Sequence, residues 1–208
     1  MNPLQEKALR VIGPFASAYG FYLAGGTALA LQLHHRRSRD FDFFSPVKFD
    51  DTTKFVHTIK SAGIDFKVQQ IAKGTVFGIA NGVEVSFIEY LYPVLNSIVC
   101  DSNYSIEMVD TFDIAAMKAS ALVQRGMKRD FIDLYALMKS GISIQQMLDA
   151  YKMKYGVDNT LSIIRSLTYF DDAETANMPE MIWPLKWIGV KKTISKAVTE
   201  FTNNRSRT

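Results

Sequence analysis

With 208 residues, 48% of them apolar and 22% charged, the chain is long enough to bury roughly 70% of the surface its unfolded state exposes, so it needs no covalent staples. One cysteine (Cys100) and three histidines (His34, His35, His57) exclude a disulfide framework, a cysteine-based zinc cluster and a histidine-rich metal site, and no apolar run approaches the roughly 18 residues of a membrane span. The formal net charge of +3 resides in the C-terminal stretch, where Lys191, Lys192, Lys196, Arg205 and Arg207 stand against Glu200 alone, so global charge is no argument for nucleic-acid binding.

Asn2-Pro3 has the form of a helix cap followed by proline at the first helical position. Leu4, Ala8, Val11, Ile12 and Phe15 then recur at helical spacing up to Gly20, with Pro14 a candidate kink. Phe21 to Ala24 is a short apolar run closed by Gly25-Gly26, the pattern of a buried strand and a tight turn. Thr27 is expected to cap a helix from Ala28 to about His34. Residues 39–44 alternate charged and aromatic side chains, the period of a strand. Asp50 or Asp51 is expected to cap a helix that runs to Lys60 and stops at Gly63. Strands are expected near 64–71 and 75–80, Asn81-Gly82 marks a type I′ hairpin, and 83–90 is the returning strand. Beyond a loop near Pro93 the periodicity is helical: 111–124, 129–139, 143–155 with Ser143 and Gln146 as a capping box, 159–170, and a last amphipathic helix from about Val190. The order predicts an α+β protein, with a mixed sheet and flanking helices in residues 1–105 and a helical bundle in 106–208. The polar start, which carries Glu6, is unlike a signal peptide, and a cytoplasmic location is expected.

Chemistry concentrates in residues 23–44, LAGGTALALQLHHRRSRDFDFF. A strand running into Gly25-Gly26-Thr27 and then a helix offers close backbone approach and free N–H groups to a phosphate. Taken alone it is equally a plain turn, since it matches neither the P-loop nor the dinucleotide fingerprint. In Asp40-Phe41-Asp42 the two carboxylates share one strand face while Phe41 and Phe43 point to the other. Such a pair repels unless a cation sits between them, and Mg²⁺, which takes a few carboxylates plus substrate phosphates, suits it; the alternative is a solvated strand face. The basic run His34-His35-Arg36-Arg37-Ser38-Arg39 directly before them suits a polyphosphate. Further along, Lys118, Arg125 and Arg129 fall within about 40° of one another on a continuous helix. If Gly126 breaks that helix, Asp130 and Asp133 lie near the start of the next, where carboxylates favour the dipole and are placed to orient the basic residues.

The string GGTALA…HRRSxDFDF, with MKASALVQRGMKRDFIDL downstream, resembles the AbiEii/AbiGii toxin family of nucleotidyltransferases, which has a DNA polymerase beta-like fold. The resemblance covers roughly residues 20 to 140. It implies a nucleotidyltransferase-like sheet and transfer of a nucleotide from an NTP, with Mg²⁺ or Mn²⁺, to an acceptor hydroxyl, the 3′ end of tRNA being one candidate. It also implies a cognate antitoxin in a type IV toxin–antitoxin or abortive-infection system. Carried onto these positions, Gly25, Gly26 and Thr27 hold the triphosphate, Asp40 and Asp42 bind metal, and Ser38 orients Asp40. Arg37, Lys118, Arg125 and Arg129 contact phosphates, with Asp130 and Asp133 in support. One departure stands out: where relatives often carry a third carboxylate, the strand GVEVSFIEY has Ser86, and Glu84 on the same face is the candidate substitute. A second reading is a nucleotide-binding regulator on the same scaffold, its third carboxylate decayed.

Overall fold

In the computed structural model, which describes residues 1–49 and 51–205, the first helix opens on the expected cap. Helix α1 (Pro3–Ala18) starts from Asn2, whose side chain accepts from Gln5 N while the Gln5 side chain accepts from Asn2 N. That reciprocal pair satisfies two of the orphan donors at a helix start, and α1 runs unbroken past Pro14. The chain divides into two units. The first holds Met1–Ala28 with Ser38–Asp110; the second holds Leu29–Arg37 with the helical stretch from Thr111 onward.

The first unit carries a seven-stranded mixed sheet. Its strands are β1 (Tyr22–Leu23), β2 (Phe41–Ser45), β3 (Phe66–Ala72), β4 (Thr75–Ala80), β5 (Val83–Glu89), β6 (Val99–Asp101) and β7 (Ile106–Met108), in the spatial order β3-β4-β5-β2-β1-β7-β6. β1 and β2 are antiparallel, whereas β2 and β5 run parallel with Asp42 opposite Ser86. The β4–β5 hairpin turns on Asn81 and Gly82, both at positive φ (49° and 83°), as a type I′ turn requires. Helix α3 (Thr52–Ser61) is capped by Asp51, which accepts from Lys54 N; Asp50 lies outside the described residues. Strands β6 and β7 were not foreseen. At three residues each they are too short to display a period, and their only signal is the alternation of buried Ile106 and Met108 about Glu107.

Alternation along β2 sends Phe41 and Phe43 to a buried face and Asp42 to the other. On that buried face Phe87 of β5 lies edge-on to Phe15, Phe21, Phe55 and Phe66 and stacks on Phe43 at 5.5 Å between centroids. The aromatic core therefore grips the two strands, β2 and β5, that carry Asp42 and Ser86.

In the second unit, helix α2 (Gly25–Leu33), which starts in the first unit, leads to His35–Arg37. It is joined by α4 (Thr111–Gln124), α5 (Lys128–Lys139), α6 (Ile144–Tyr155), α7 (Leu161–Ser166), α8 (Asp171–Glu174) and α9 (Trp187–Arg205). Gly126, at φ +51°, breaks α4 from α5. The capping box at Ser143 and Gln146 is present, and Gly156 ends α6 in the left-handed conformation. The helix expected over 159–170 is cut short at Ser166, where Thr168, Tyr169 and Phe170, all poor helix formers, follow. The last helix starts three residues earlier than expected, at Trp187, whose ring joins Phe131 and Phe170. No helix among the described residues is long and apolar enough to cross a membrane. Replacing the fully buried Phe87 with alanine removes the hub of the aromatic core; chemical denaturation of Phe87→Ala is expected to show a loss of about 3–5 kcal/mol, and a loss under about 1 kcal/mol would mean the core closes around the gap.

Candidate active site

Strand β1 ends at Leu23, and after Ala24 the chain turns at Gly25, whose φ of +66° is a value side chains resist. Gly25 also lies beside Asp42: a Cβ built there would be 3.4 Å from Asp42 Oδ2, in van der Waals contact. Helix α2 begins at Gly25 itself, two residues before the expected cap. Thr27 is therefore inside the helix, and its hydroxyl donates to the carbonyl of Asp40 instead.

That bond is one of three that hold the acidic segment by its backbone. Gln5 Nε2 donates to the Ser38 carbonyl at 2.7 Å, Thr27 Oγ1 to that of Asp40, and Ala24 N to that of Asp42 at 3.0 Å. Two serine hydroxyls serve the carboxylates: Ser38 Oγ donates to Asp40 Oδ1 at 3.3 Å, and Ser86 Oγ donates to Asp42 Oδ1. Asp40 and Asp42 are both half-buried, so each carboxylate keeps access to solvent. Glu84 lies two residues before Ser86 on β5, exposed. Among the described residues no three carboxylate, imidazole or thiolate groups gather closely enough to hold a metal, so Glu84 does not complete a trio with the two aspartates. The donor set the fold does assemble is two carboxylates beside a glycine turn. It fits a hard divalent cation such as Mg²⁺, which keeps several waters and fills its shell with substrate phosphate oxygens.

The second unit contains a buried ion network. Asp133 and Asp130, both fully buried on α5, share the ammonium of Lys118 from α4, at 2.6 and 3.1 Å. Asp133 also accepts from His35 Nε2 at 2.8 Å and from both Arg36 Nε (2.6 Å) and Nη2 (2.8 Å). Asp130 accepts from Arg125 Nε and Nη2, each at 3.0 Å. Burial alone would raise both carboxyl pKa values. For Asp133 the charge of Lys118 and the bonds from Arg36 and His35 outweigh it; for Asp130 those of Arg125 and Lys118 do. Both carboxyls are thereby held below the usual range, Asp133 far below it.

A family model described as nucleotidyl transferase AbiEii toxin, type IV TA system, matches residues 8–200. The chain belongs to this family. A relative from Aquifex aeolicus (strain VF5), described as an uncharacterized protein, is 36% identical over 203 residues, which is 96% of this chain and 97% of that one. Among solved structures, the nucleotidyltransferase toxin MenT4 of Mycobacterium tuberculosis H37Rv aligns with a TM-score of 0.61 at 15% identity, covering 94% of this chain and 83% of MenT4. JHP933 of Helicobacter pylori aligns at 0.50 with 17% identity over 98% and 96% of the two chains. These likenesses show that the AbiEii member has the nucleotidyltransferase fold.

The fold thus brings Gly25, Ser38, Asp40 and Asp42 together in one unit, and Lys118, Arg125, Asp130 and Asp133 together in the other. Gly26 follows Gly25 in the first turn of α2. Arg37 pairs on the surface with Glu180, at 2.9 Å, and Arg129 is half-buried on α5. The basic run was expected to face a polyphosphate; His35 and Arg36 are instead buried against Asp133. The available signal was the downstream Asp130 and Asp133, two carboxylates on an otherwise apolar helix face that needed cationic partners.

Because both α5 carboxyls titrate below their unfolded-state value of about 3.9, their stabilisation is complete above that pH and is lost as pH falls through it toward the depressed folded values. Acid unfolding followed by circular dichroism is expected to show stability declining from about pH 4 downward, with a shallower decline in Asp133→Asn. A wild-type slope in that variant would assign the acid sensitivity to other groups.

Proposed function

We propose that this AbiEii-family protein transfers a nucleotidyl group from an NTP to an acceptor hydroxyl, and that an RNA 3′ end is the acceptor. In this reading Asp40 and Asp42 hold the divalent cation, with Ser38 and Ser86 orienting them, and the Gly25-Gly26-Thr27 turn receives the triphosphate. The bound cation would neutralise phosphate oxygens and stabilise the attacking and leaving oxygens. Lys118, Arg125 and Arg129 contribute positive charge against the phosphates, with Asp130 and Asp133 setting the direction of the first two. The acceptor oxygen attacks the α-phosphorus and forms the new P–O bond. The bond to the β-phosphate oxygen breaks, pyrophosphate leaves with that electron pair, and the acceptor proton passes to water. Little covalent work falls to side chains, so positioning and charge supply the rate.

The observation that carries this reading is the acidic segment itself, two like charges held at alternate residues by three backbone bonds and set beside the turn at Gly25. The family's toxin–antitoxin context adds a cognate antitoxin as partner of the same protein.

Incubation with each α-labelled NTP, Mg²⁺ and total RNA, followed by a gel, tests the proposal. Label is expected on RNA from at least one NTP, and Asp42→Asn is expected to lower the rate by about 10²-fold or more, the scale for removing a preorganised electrostatic contact. Glu84→Gln is expected to stay close to wild type. Loss of transfer in Glu84→Gln would restore that residue as a third ligand. Nucleotide binding without transfer to RNA, protein or a small molecule would instead mark the chain as a nucleotide-binding regulator.

A further inference from the structure

We propose that Arg36 and His35 are positioning residues that act through Asp133 to fix the ammonium group of Lys118. This role rests on the phosphate contact assigned to Lys118 above, and extends it to two residues of the basic run that had no function there.

An ionised carboxylate offers about four acceptor sites, two on each oxygen, and at Asp133 four donors are present. Oδ1 accepts from His35 Nε2 and Arg36 Nε, and Oδ2 accepts from Arg36 Nη2 and Lys118 Nζ. The two Arg36 bonds form a planar fork, which sets the plane of the carboxylate as well as its position. His35 fills the second site on Oδ1. The direction left for Lys118 on Asp133 is the remaining site on Oδ2, so of the ammonium's two carboxylate contacts the shorter one, 2.6 Å against 3.1 Å to Asp130, inherits its place from the two residues on the far side of Asp133. Lysine on a flexible stem lacks such direction by itself.

His35 and Arg36 are themselves clamped. The His35 carbonyl accepts from Ile182 N and Trp183 N, each at 3.0 Å, Arg36 bridges to Met181, and the His35 ring lies edge-on to Trp183 at 6.0 Å. The irregular stretch before α9 thereby serves as the backing of the network. Ionised Asp133 only accepts, so His35 must donate from Nε2. Its Nδ1 is buried without a hydrogen-bond partner. That is an unfavourable arrangement which an apolar residue chosen for packing alone would avoid. A contact to Asp133 explains why the imidazole is there.

Lysine side-chain ¹⁵N NMR on the full chain tests the link without any activity. In the wild type the ammonium protons of Lys118 are expected to exchange slowly enough to be seen, like those of fully buried Lys154 on Asp113. In Arg36→Gln the Lys118 signal is expected to broaden away while the Lys154 signal persists and reports that the helices remain folded. Should Arg36→Gln lose both signals, Arg36→Lys, which keeps the charge but not the fork, gives the same reading. A Lys118 signal untouched by either variant overturns the proposal. In the transfer assay, Arg36→Gln is expected to lower kcat by about 10²-fold, the scale of a misplacement near 1 Å, with KM for the NTP little changed, and His35→Gln to act more mildly. Placed in a Lys118→Met background, Arg36→Gln is expected to add no further loss, because it acts through the group already removed. Losses that multiply would sink the link through Lys118. A Lys118 signal that Arg36→Gln disturbs, in a protein whose wild type transfers nothing, would overturn the catalytic purpose and the proposed function together, whereas normal transfer with non-coupled losses would overturn only the role of Arg36.

Discussion

The hydrogen bonds that the carbonyls of Ser38, Asp40 and Asp42 accept from Gln5, Thr27 and Ala24 fix the chain at every second residue across the acidic segment. Each donor comes from a different stretch: helix α1, the first turn of α2, and the residue after β1. Two carboxylates on one strand face would separate if the backbone could yield, since their repulsion acts at short range in partly desolvated surroundings. Anchoring the backbone holds Asp40 and Asp42 at this spacing, the arrangement on which the proposed cation site rests. The aromatic core does the complementary work on the other face, where Phe41, Phe43 and Phe87 set the β2–β5 register that puts Ser86 opposite Asp42. Glycine at position 25 completes the arrangement, because the turn at φ +66° disfavours a side chain there.

In the second unit the same problem is solved with protein groups alone. Asp130 and Asp133 are fully buried and carry their charge because Lys118, Arg36 and Arg125 meet them at 2.6 to 3.1 Å. Arg125 retains an exposure of 47%, so that end of the network touches solvent while the Asp133 end does not. The contrast is chemical. Carboxylates that are saturated by fixed donors have nothing left to offer a metal ion, whereas Asp40 and Asp42 each accept from a serine hydroxyl and stay half-buried.

Much of this was legible in the chain because it rests on local rules. The Asn2 and Ser143 caps, the Asn81-Gly82 hairpin, the break at Gly126 and the alternation Asp40-Phe41-Asp42-Phe43 are each set by neighbours within a few residues. What escaped depends on partners distant in sequence. The Thr27 hydroxyl, expected to cap α2, instead donates to Asp40, thirteen residues on. The burial of His35 and Arg36 follows from Asp133, nearly a hundred residues on. A basic run has the same composition whether its arginines face water or a buried carboxylate, so periodicity could not separate the two. Strands β6 and β7 escaped for a different reason, being shorter than any window in which a period can be counted.

Buried charge in the helical unit is not confined to the Lys118 network. Lys154 of α6 and Asp113 of α4 pair with no exposure at all, and α4 therefore carries ionised groups toward two neighbours, Asp113 toward α6 and Lys118 toward α5. Buried pairs of this kind are weak sources of stability, since well-packed apolar side chains of similar volume often do as well or better. Their best-attested use is registry. Between its two charges α4 presents Ile114, Ala115 and Ala116 to the core, so its apolar grip there rests on one large side chain. A slip of one turn, about 5.4 Å, would strand both charges without partners. The two pairs thus add to Ile114 in fixing the position of α4 along its axis. That places the ammonium of Lys118 at one height along α4, and the network around Asp133 then sets its direction.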